Sequence, residues 1–373
     1  MIYLDYAAHT PAAPEVLACL TRMEQRFVGN PLAAHAAGRA ARAALDEAAR
    51  RLAGCFGVSA AEVVFTSGAS EANNHALKGL VRAGRHRGRH ILSTCLEHPS
   101  VSGPLTVLQE QGCEVELIDV RRDGTVDLTH LRELMRPDTV LVSVCLVDGE
   151  LGAVQPVEEI AALLRDYPGC RFHVDASQAA GKRPVSFEGI DCLTFSAHKF
   201  YGPAGCGGLL VRAERAPEPL IHGGRSASAH RSGTPALPLA AAAAEALTLA
   251  CEHQAQWRRI VEARRAALLK AFRAYPQVRI NSPADGSPYI LNLSVGHVPG
   301  GVFQAALDRR GVCVSVKSAC CVPDVPSRPV LAVSRDRKNA RCSWRVSLSH
   351  LTTQRELDAF LKIFDDCYKE LAT

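Results

Sequence analysis

Long apolar runs are scarce in this sequence. The longest, at residues 236–251, is interrupted by Glu245 and falls short of the roughly 20 residues that a bilayer-spanning helix needs, so we expect a packed helix and no membrane partner. We also expect no export leader, because Asp5 falls inside the first apolar stretch and no basic segment precedes it. Repeats and Gly/Ser- or Pro-rich linkers are not visible either. We therefore expect a cytoplasmic globular protein.

A strong charge of either sign is lacking as well. Lys and Arg together number 43 against 38 Asp and Glu, which gives a formal net charge of +5. The basic residues are scattered, apart from short runs at residues 82–89 and 335–341. Such a small bias is typical of a solvated surface, so we expect no direct nucleic-acid partner.

Cysteine, by contrast, is plentiful, with 14 residues. Disulfide frameworks belong to short exported chains, so we expect most of these thiols to be reduced and buried as small apolar side chains. The tandem pair Cys320 and Cys321 lacks the further ligands at suitable spacing that a metal site requires. No metal site is therefore predicted.

Helical and strand-like patterns alternate along the first two-thirds of the 373 residues. Strands linked by helices in this way form a mostly parallel sheet covered on both faces. After Glu252 the pattern changes to a long charged helix, short strands and a final helix. We predict an α/β fold with a large domain at residues 13–250 and a smaller α+β domain formed by residues 1–12 and 251–373. The predicted strands are 62–66, 90–95, 114–120, 139–146, 170–174, 192–195, 289–294, 312–316 and 345–349, and the predicted helices are 38–56, 71–83, 104–111, 129–135, 156–166 and 354–371.

The first chemically suggestive segment, FTSGASEAN at residues 65–73, is a strand end followed by a hydroxyl-rich turn and a helix start. A helix N-terminus offers unpaired N–H groups, and Gly68 allows close backbone approach, so the turn suits a phosphate. Ser67 and Ser70 add hydroxyl donors. By itself the segment is equally explained if Ser70 and Glu71 simply cap the helix.

Two further strand ends carry an acid and an amine. Asp175 ends an apolar strand, where open α/β sheets bind ligands, although a plain helix cap at Ser177 is an equal alternative. Lys199 follows another strand and is flanked by Phe200 and Tyr201, an environment that favours a nucleophilic amine. A carboxylate for a pyridine nitrogen, a lysine for an aldehyde and a phosphate cradle are together the requirements of pyridoxal 5′-phosphate.

These segments resemble the cysteine desulfurases, which are class-V, fold-type I pyridoxal-phosphate enzymes. The resemblance runs nearly from end to end of the chain. It rests on LDYAAHTP at residues 4–11, GNP at 29–31, TSGASE at 66–71, Glu97-His98, HVDASQ at 173–178, SAHK at 196–199, RSGT at 231–234, ILNLS at 290–294, SAC at 318–320 and RVSL at 345–348.

The resemblance assigns a set of cofactor contacts. It implies that Lys199 forms a Schiff base with the cofactor, that Asp175 pairs with the ring nitrogen, that Gln178 bonds the ring 3-oxygen and that His98 stacks on the ring. The phosphate is then expected at Ala69, Ser70, Ser196 and His198.

The resemblance also assigns the substrate contacts and the oligomer. Arg345, assisted by Asn292, is expected to bind the substrate α-carboxylate, which a bidentate guanidinium suits well. Thr234 is expected to reach the phosphate of a partner subunit, which implies a homodimer.

The segment KSACCVPDVP at residues 317–326 resembles the mobile loop that carries the family's sulfur-accepting cysteine. Pro323 and Pro326 oppose regular secondary structure there. We assign Cys320 as the nucleophile, with Cys321 as the alternative, and His98 as the group that takes its proton.

The chain departs from the family pattern at two points. Asp148-Gly149 stands where most relatives have a pair of asparagines, so Asp148 or a water is expected to replace the amide beside the cofactor's 3-oxygen. Lys317 occupies a position that is usually glycine.

The implied reaction converts L-cysteine to L-alanine and passes the sulfur, as a persulfide on Cys320, to an acceptor protein. The acceptor is expected to be a scaffold or a thiolation enzyme that serves iron–sulfur clusters, thio-cofactors or tRNA. A selenocysteine lyase, another class-V lyase or aminotransferase, and a catalytically idle scaffold remain alternatives.

Overall fold

Helices and strands follow one another much as the patterning predicts, in a computed structural model that describes residues 1–224, 228–317 and 325–372. The helices are α1 (Pro14–Arg26), α2 (Ala36–Phe56), α3 (Ala69–Gly84), α4 (Pro99–Glu110), α5 (Leu128–Leu134), α6 (Val157–Leu164), α7 (Leu237–Phe272), α8 (Gly300–Asp308), α9 (Arg328–Ser334), α10 (Arg337–Cys342) and α11 (Gln354–Ala372). The strands are β1 (Ile2–Tyr3), β2 (Val63–Thr66), β3 (His90–Thr94), β4 (Glu114–Ile118), β5 (Thr139–Cys145), β6 (Arg171–Asp175), β7 (Cys192–Ser196), β8 (Gly207–Val211), β9 (Val278–Ile280), β10 (Ile290–Val295), β11 (Val312–Cys313) and β12 (Ser343–Ser347).

A seven-stranded sheet with the order β2-β8-β7-β6-β5-β3-β4 forms the centre of the fold. Strands β4, β3, β5, β6 and β7 run parallel, whereas β8 is antiparallel to both of its neighbours. Successive strand residues enter two different apolar clusters, Leu141 in one and Val142 in the other, because side chains alternate between the two faces of a sheet. The predicted α/β fold with a mostly parallel sheet is confirmed.

Strand β8 has no counterpart among the strands predicted from the sequence, since it begins with two glycines. Both glycines are needed for close packing. A Cβ atom at Gly207 would overlap the carbonyl oxygen of Phe195 and lie 2.7 Å from the Cα atom of Gly68, and one at Gly208 would strike the Phe195 ring. The glycines thus allow β8 to lie against β7 and against the turn that precedes α3.

A smaller antiparallel sheet, β12-β10-β9, and the parallel pair β1-β11 lie in the second part of the fold. Trp344 is fully buried there and stacks on Phe303, with ring centroids 5.2 Å apart. The pairing of β1 with β11 joins the N-terminal residues to this part. These contacts agree with the predicted division at residues 13–250, which stays a prediction.

Two helices differ most from their predicted extents. A single helix, α7, spans both the packed helix predicted at residues 236–251 and the charged helix predicted after Glu252. Its alanine-rich half packs in the first core, and its later residues Val261 and Leu268 pack in the second. Helix α4 begins at Pro99, not at Pro104. Proline is well accepted at a first helical position, and His98 caps the helix by accepting the N–H of Ser100.

Within the part of the chain that the structure describes, no helix combines the length and apolarity needed to cross a membrane. The cysteines of that part are free thiols, and several of them, including Cys145 and Cys192, are buried as predicted.

The glycine packing predicts opposite effects for two alanine substitutions. Gly207→Ala should lower the free energy of unfolding by about 1–3 kcal/mol, because the new methyl group overlaps backbone atoms. Gly54→Ala is the matched control: nothing lies within 4 Å of the place on α2 that its new methyl group would take, so it should raise stability by about 0.5–1 kcal/mol. Urea titrations measure both, and equal stability of the two variants would contradict the packing argument.

Candidate active site

A cavity of about 580 Å³ opens at the carboxyl ends of the central strands. It is bounded by the start of α3, the ends of β5, β6 and β7, and segments of the smaller part of the fold. The structure brings most of the predicted site residues to this cavity. They are Ala69, Ser70, His98, Asp175, Gln178, Ser196, His198, Lys199 and Arg345.

The start of α3 forms one end of the cavity. The N–H of Ala69 donates to the Ser196 hydroxyl oxygen at 2.7 Å, so this helix start and the end of β7 are in direct contact. Glu71 accepts the N–H of Ser67 at 2.8 Å and also pairs with Arg231 at 3.0 Å. Glu71 therefore holds the turn before α3, whose N-cap residue Gly68 makes no side-chain cap hydrogen bond, while the Ser70 and Ser196 side chains border the open cavity.

Asp175 is buried at the end of β6, and each of its carboxylate oxygens accepts one N–H. Oδ1 accepts the backbone N–H of Ser177 at 2.9 Å, and Oδ2 accepts the side-chain amide of Asn73 at 2.9 Å. The local cap therefore exists, over a turn and not a regular helix. It uses one oxygen only, and the residue still lines the cavity.

Lys199 follows β7 in a short turn of 3₁₀ helix. Its Nζ atom donates to the backbone oxygens of Ala7 and Ala8, both at 2.8 Å. The N-terminal segment therefore places the amine in the cavity.

Gln178 is oriented by a lysine that the sequence analysis did not identify. The buried Lys182 donates from Nζ to Gln178 Oε1 at 2.9 Å, and Gln178 Nε2 donates to the Ala7 oxygen at 2.8 Å. Burial lowers the pKa of Lys182 to about 7, and Lys199 and Arg345 add to the shift. The available signal in the sequence is a lysine four residues after Gln178.

His98 contacts Ser100 twice. Its Nδ1 atom lies 2.8 Å from the Ser100 hydroxyl oxygen and accepts the Ser100 backbone N–H at 3.1 Å. Burial lowers the pKa of His98, an effect that Lys199 reinforces and Asp175 opposes. A largely neutral imidazole follows at physiological pH.

Three buried carboxyl groups form one wall of the cavity: Glu97, Asp148 and Glu150. Burial is the first cause in each case. It raises the pKa of Glu97 to about 8 and that of Asp148 to about 7, and it also raises the pKa of Glu150. Glu97 accepts hydrogen bonds from Thr94 and from the N–H of Cys145 through one oxygen. Asp148 accepts N–H groups of its own turn, including that of Glu150 at 3.2 Å.

Arg345 is almost fully buried on β12. Nη2 pairs with Asp5 at 2.8 Å, and Nη1 donates to the Gly149 oxygen at 2.6 Å. Its Nε atom has no hydrogen-bond partner among the described residues. Asn292 pairs with Arg345 across the strands, yet within the described chain it lies behind the cavity lining and not on it.

The remaining predicted residues are Thr234, Cys320 and Cys321. Thr234 is exposed and lies outside the lining of this chain's own cavity, so its role toward a partner subunit stays a prediction. Cys320 and Cys321 lie outside the described residues. Lys317 and Val325, which flank that segment, both line the cavity.

Comparison with known proteins identifies the family. The family model for aminotransferase class-V matches residues 2–360, so the chain belongs to this class of enzymes. The chain is 34% identical to the cysteine desulfurase IscS of Dictyoglomus turgidum, over 100% of this chain and 95% of that protein. The chain belongs to the cysteine desulfurase family within this class.

Solved structures agree with that placement. A NifS-like protein superposes with a TM-score of 0.93 at 32% identity, over 99% of this chain and 100% of its own. A structure of SspA in complex with cysteine superposes with a TM-score of 0.81 at 30% identity, over 95% of this chain and 100% of its own.

Glu97 predicts a pH dependence of stability. Its pKa is about 8 in the fold against 4.5 ordinarily, so its proton-linked stabilisation is complete below about pH 4.5 and is lost as the pH rises through about 8. Between these pH values, one such group lowers the free energy of unfolding by at most about 1.4 kcal/mol per pH unit. In Glu97→Gln the fall in unfolding free energy between pH 5 and pH 8 should be smaller than in the parent protein.

Urea unfolding at several pH values measures this effect, with the exposed Glu110→Gln as the matched control. If Glu97→Gln and Glu110→Gln follow the same pH curve as the parent, Glu97 is not protonated in the folded state.

Proposed function

We propose that the cavity binds pyridoxal 5′-phosphate and that the protein converts L-cysteine to L-alanine, with the sulfur passing to Cys320. The observation that carries this proposal is the convergence of Lys199, Asp175 and the start of α3 on one cavity. Membership of the cysteine desulfurase family supports the substrate.

The residues fit the cofactor. An amine, a carboxylate whose two oxygens are held by N–H donors, and a helix start beside the Ser196 hydroxyl match an aldehyde, a ring nitrogen and a phosphate. When bound, the cofactor supplies an aldehyde for amines and a ring that stabilises negative charge at the substrate Cα atom. Lys199 would hold the aldehyde end, and Asp175 the ring nitrogen. Ala69, Ser70, Ser196 and His198 would hold the phosphate.

The remaining cavity residues orient the ring and move protons. Lys182 and the Ala7 carbonyl fix both ends of the Gln178 amide, which would bond the ring oxygen of the bound cofactor. The Nζ atom of Lys199 would remove and return the proton at the substrate Cα atom. His98 would cover the ring and exchange a proton with the reacting sulfur.

Arg345 binds the substrate carboxylate. Its guanidinium is already in the cavity wall, where Asp5 and the Gly149 carbonyl hold two of its nitrogens. Asp5 fixes the plane of the guanidinium, whose remaining N–H groups would donate to an incoming carboxylate. Asn292 supports Arg345 from the adjacent strand β10.

The sulfur step balances without a further reagent. The Cys320 thiolate attacks the substrate sulfur, the C–S bond breaks, and the net reaction turns L-cysteine and one thiol into L-alanine and one persulfide. An acceptor protein, a scaffold or a thiolation enzyme, then takes the sulfur for iron–sulfur clusters, thio-cofactors or tRNA. Thr234 would contact the cofactor phosphate bound by a partner subunit, so the enzyme would be a homodimer. We also propose that the enzyme is cytoplasmic.

Replacement of the nucleophile tests the sulfur step. In Cys320→Ser, incubation with L-cysteine should yield neither persulfide nor alanine above background, while the absorbance of the bound cofactor persists, because a hydroxyl cannot accept the sulfur. Alanine quantification and mass spectrometry of the loop peptide measure this, with Cys321→Ser as the matched control. If Cys320→Ser releases sulfide as fast as the parent protein in the presence of dithiothreitol, Cys320 is not the nucleophile that accepts the sulfur. Parallel assays that compare the turnover of L-selenocysteine with that of L-cysteine distinguish a cysteine desulfurase from a selenocysteine lyase.

Arg345→Lys tests carboxylate binding. The loss of a planar, bidentate donor should raise the KM for L-cysteine by about tenfold or more, with a smaller effect on kcat. Arg279→Lys, which changes an exposed arginine of the small sheet, serves as the control in the same initial-rate assay. An unchanged KM in Arg345→Lys would mean that another group binds the carboxylate.

A further inference from the structure

Asn73 occupies a position between two functional groups of the cavity. It is fully buried on α3, one helical turn after the cavity residues Ala69 and Ser70. Its Nδ2 atom donates to Asp175 Oδ2 at 2.9 Å and to the Ser100 hydroxyl oxygen, also at 2.9 Å. One side-chain amide therefore contacts both the carboxylate of β6 and the first turn of α4.

The orientation of this amide is determined by its neighbours. An ionised carboxylate only accepts hydrogen bonds, so the NH2 group of Asn73 and not its oxygen must face Asp175. The Thr194 hydroxyl donates to Asn73 Oδ1 on the other side, which agrees with this orientation. A reversed amide would place two acceptors against each other at Asp175.

The orientation of the Asn73 amide also determines which group donates in the hydrogen bond between Ser100 and His98. Both N–H bonds of the Asn73 amide are used, and Ser100 receives one of them, so the Ser100 hydroxyl proton is available to His98 Nδ1 at 2.8 Å. The Ser100 backbone N–H also points to Nδ1, at 3.1 Å. Two donors on one nitrogen make Nδ1 an acceptor, and the proton of the neutral ring is carried on Nε2.

We infer that Asn73 is a positioning residue that couples Asp175 to His98 through Ser100, holding the carboxylate in place and selecting the Nε2–H form of the histidine. The inference deepens the proposed function, on which it rests for the roles of Asp175 and His98. Asn73 itself touches neither substrate nor cofactor and acts only through its two neighbours.

This coupling changes the expected proton chemistry of His98. In the Nε2–H form the ring offers a donor at Nε2. The proton that His98 takes from the thiol must then enter at Nδ1, which requires both Ser100 donors to be displaced. The charged groups that act on His98 are Asp175 from β6 and Lys199 from the turn after β7, and they act in opposite directions. The tautomer is therefore set by the hydrogen bonds to Nδ1 and not by a single neighbouring charge.

A double-mutant cycle on the full-length protein tests the coupling. ¹⁵N-histidine NMR, with His98 assigned by His98→Gln, reports both the tautomer and the titration of this ring. In Ser100→Ala the titration midpoint of His98 should rise by about one pH unit, because Nδ1 loses its hydroxyl donor. Asn73→Ala should shift it in the same direction by less, and in the Ser100→Ala background Asn73→Ala should add nothing.

Cofactor affinity gives a second, independent measurement. Asn73→Ala should raise the dissociation constant of added pyridoxal 5′-phosphate by about tenfold, since Asp175 loses a donor, whereas Ser100→Ala should leave that constant unchanged. Asn74→Ala, on the next and only partly buried position of α3, is the matched control and should change neither quantity.

The outcomes separate this inference from the proposed function. The coupling is overturned if Ser100→Ala leaves the titration midpoint and the tautomer of His98 unchanged. It is also overturned if Asn73→Ala shifts that midpoint equally in the parent protein and in the Ser100→Ala background. If Asn73→Ala does not fold, Ser100→Ala alone still decides the tautomer. Failure of the parent protein to bind pyridoxal 5′-phosphate would overturn the proposed function, while the NMR comparison would still test the link between Ser100 and His98.

Discussion

The parallel register of β6 and β7 is the constraint on which the site depends. Asp175 pairs with Thr194 across these strands, so the end of β6 lies beside the last residues of β7. Ser196 ends β7, and Lys199 follows within one short turn. A shift of this register by one residue would turn the side chain of Asp175 to the other face of the sheet. The carboxylate and the amine share a cavity because the sheet holds these two strand ends together.

The cavity concentrates buried polar and charged groups, and hydrogen bonds compensate for most of their desolvation. The Arg345 guanidinium has Asp5 and a carbonyl, Lys199 has two carbonyls, and Asp175 has two N–H donors. A buried charge without such partners would be too costly to keep, so the group becomes neutral instead. Glu97 shows this alternative, since one of its oxygens has no partner in the described chain and its pKa is raised to about 8.

The N-terminal segment connects the two parts of the fold at the cavity. Asp5 pairs with Arg345, the oxygens of Ala7 and Ala8 receive the Lys199 amine, and the N–H of Ala7 donates to Ser347 of β12 at 2.9 Å. The same Ala7 oxygen also accepts the amide of Gln178. A few residues of this segment thus hold the arginine of the small sheet and the lysine of the large sheet at a common cavity.

The sequence by itself determined the alternation of helices and strands, the mostly parallel sheet and the motifs at the ends of β2, β6 and β7, because periodicity and turn chemistry are local properties. It also directed attention to Asp175 and Lys199 through the strand ends on which they lie. Only the tertiary structure decided that Asn73, Ser100, Lys182 and Asp5 orient those groups, and that α7 is continuous. Their roles depend on hydrogen bonds between residues far apart in the chain, such as Asn73 with Asp175 and Asp5 with Arg345. Local spacing carries no information about such contacts, because they exist only once the strands and helices have packed.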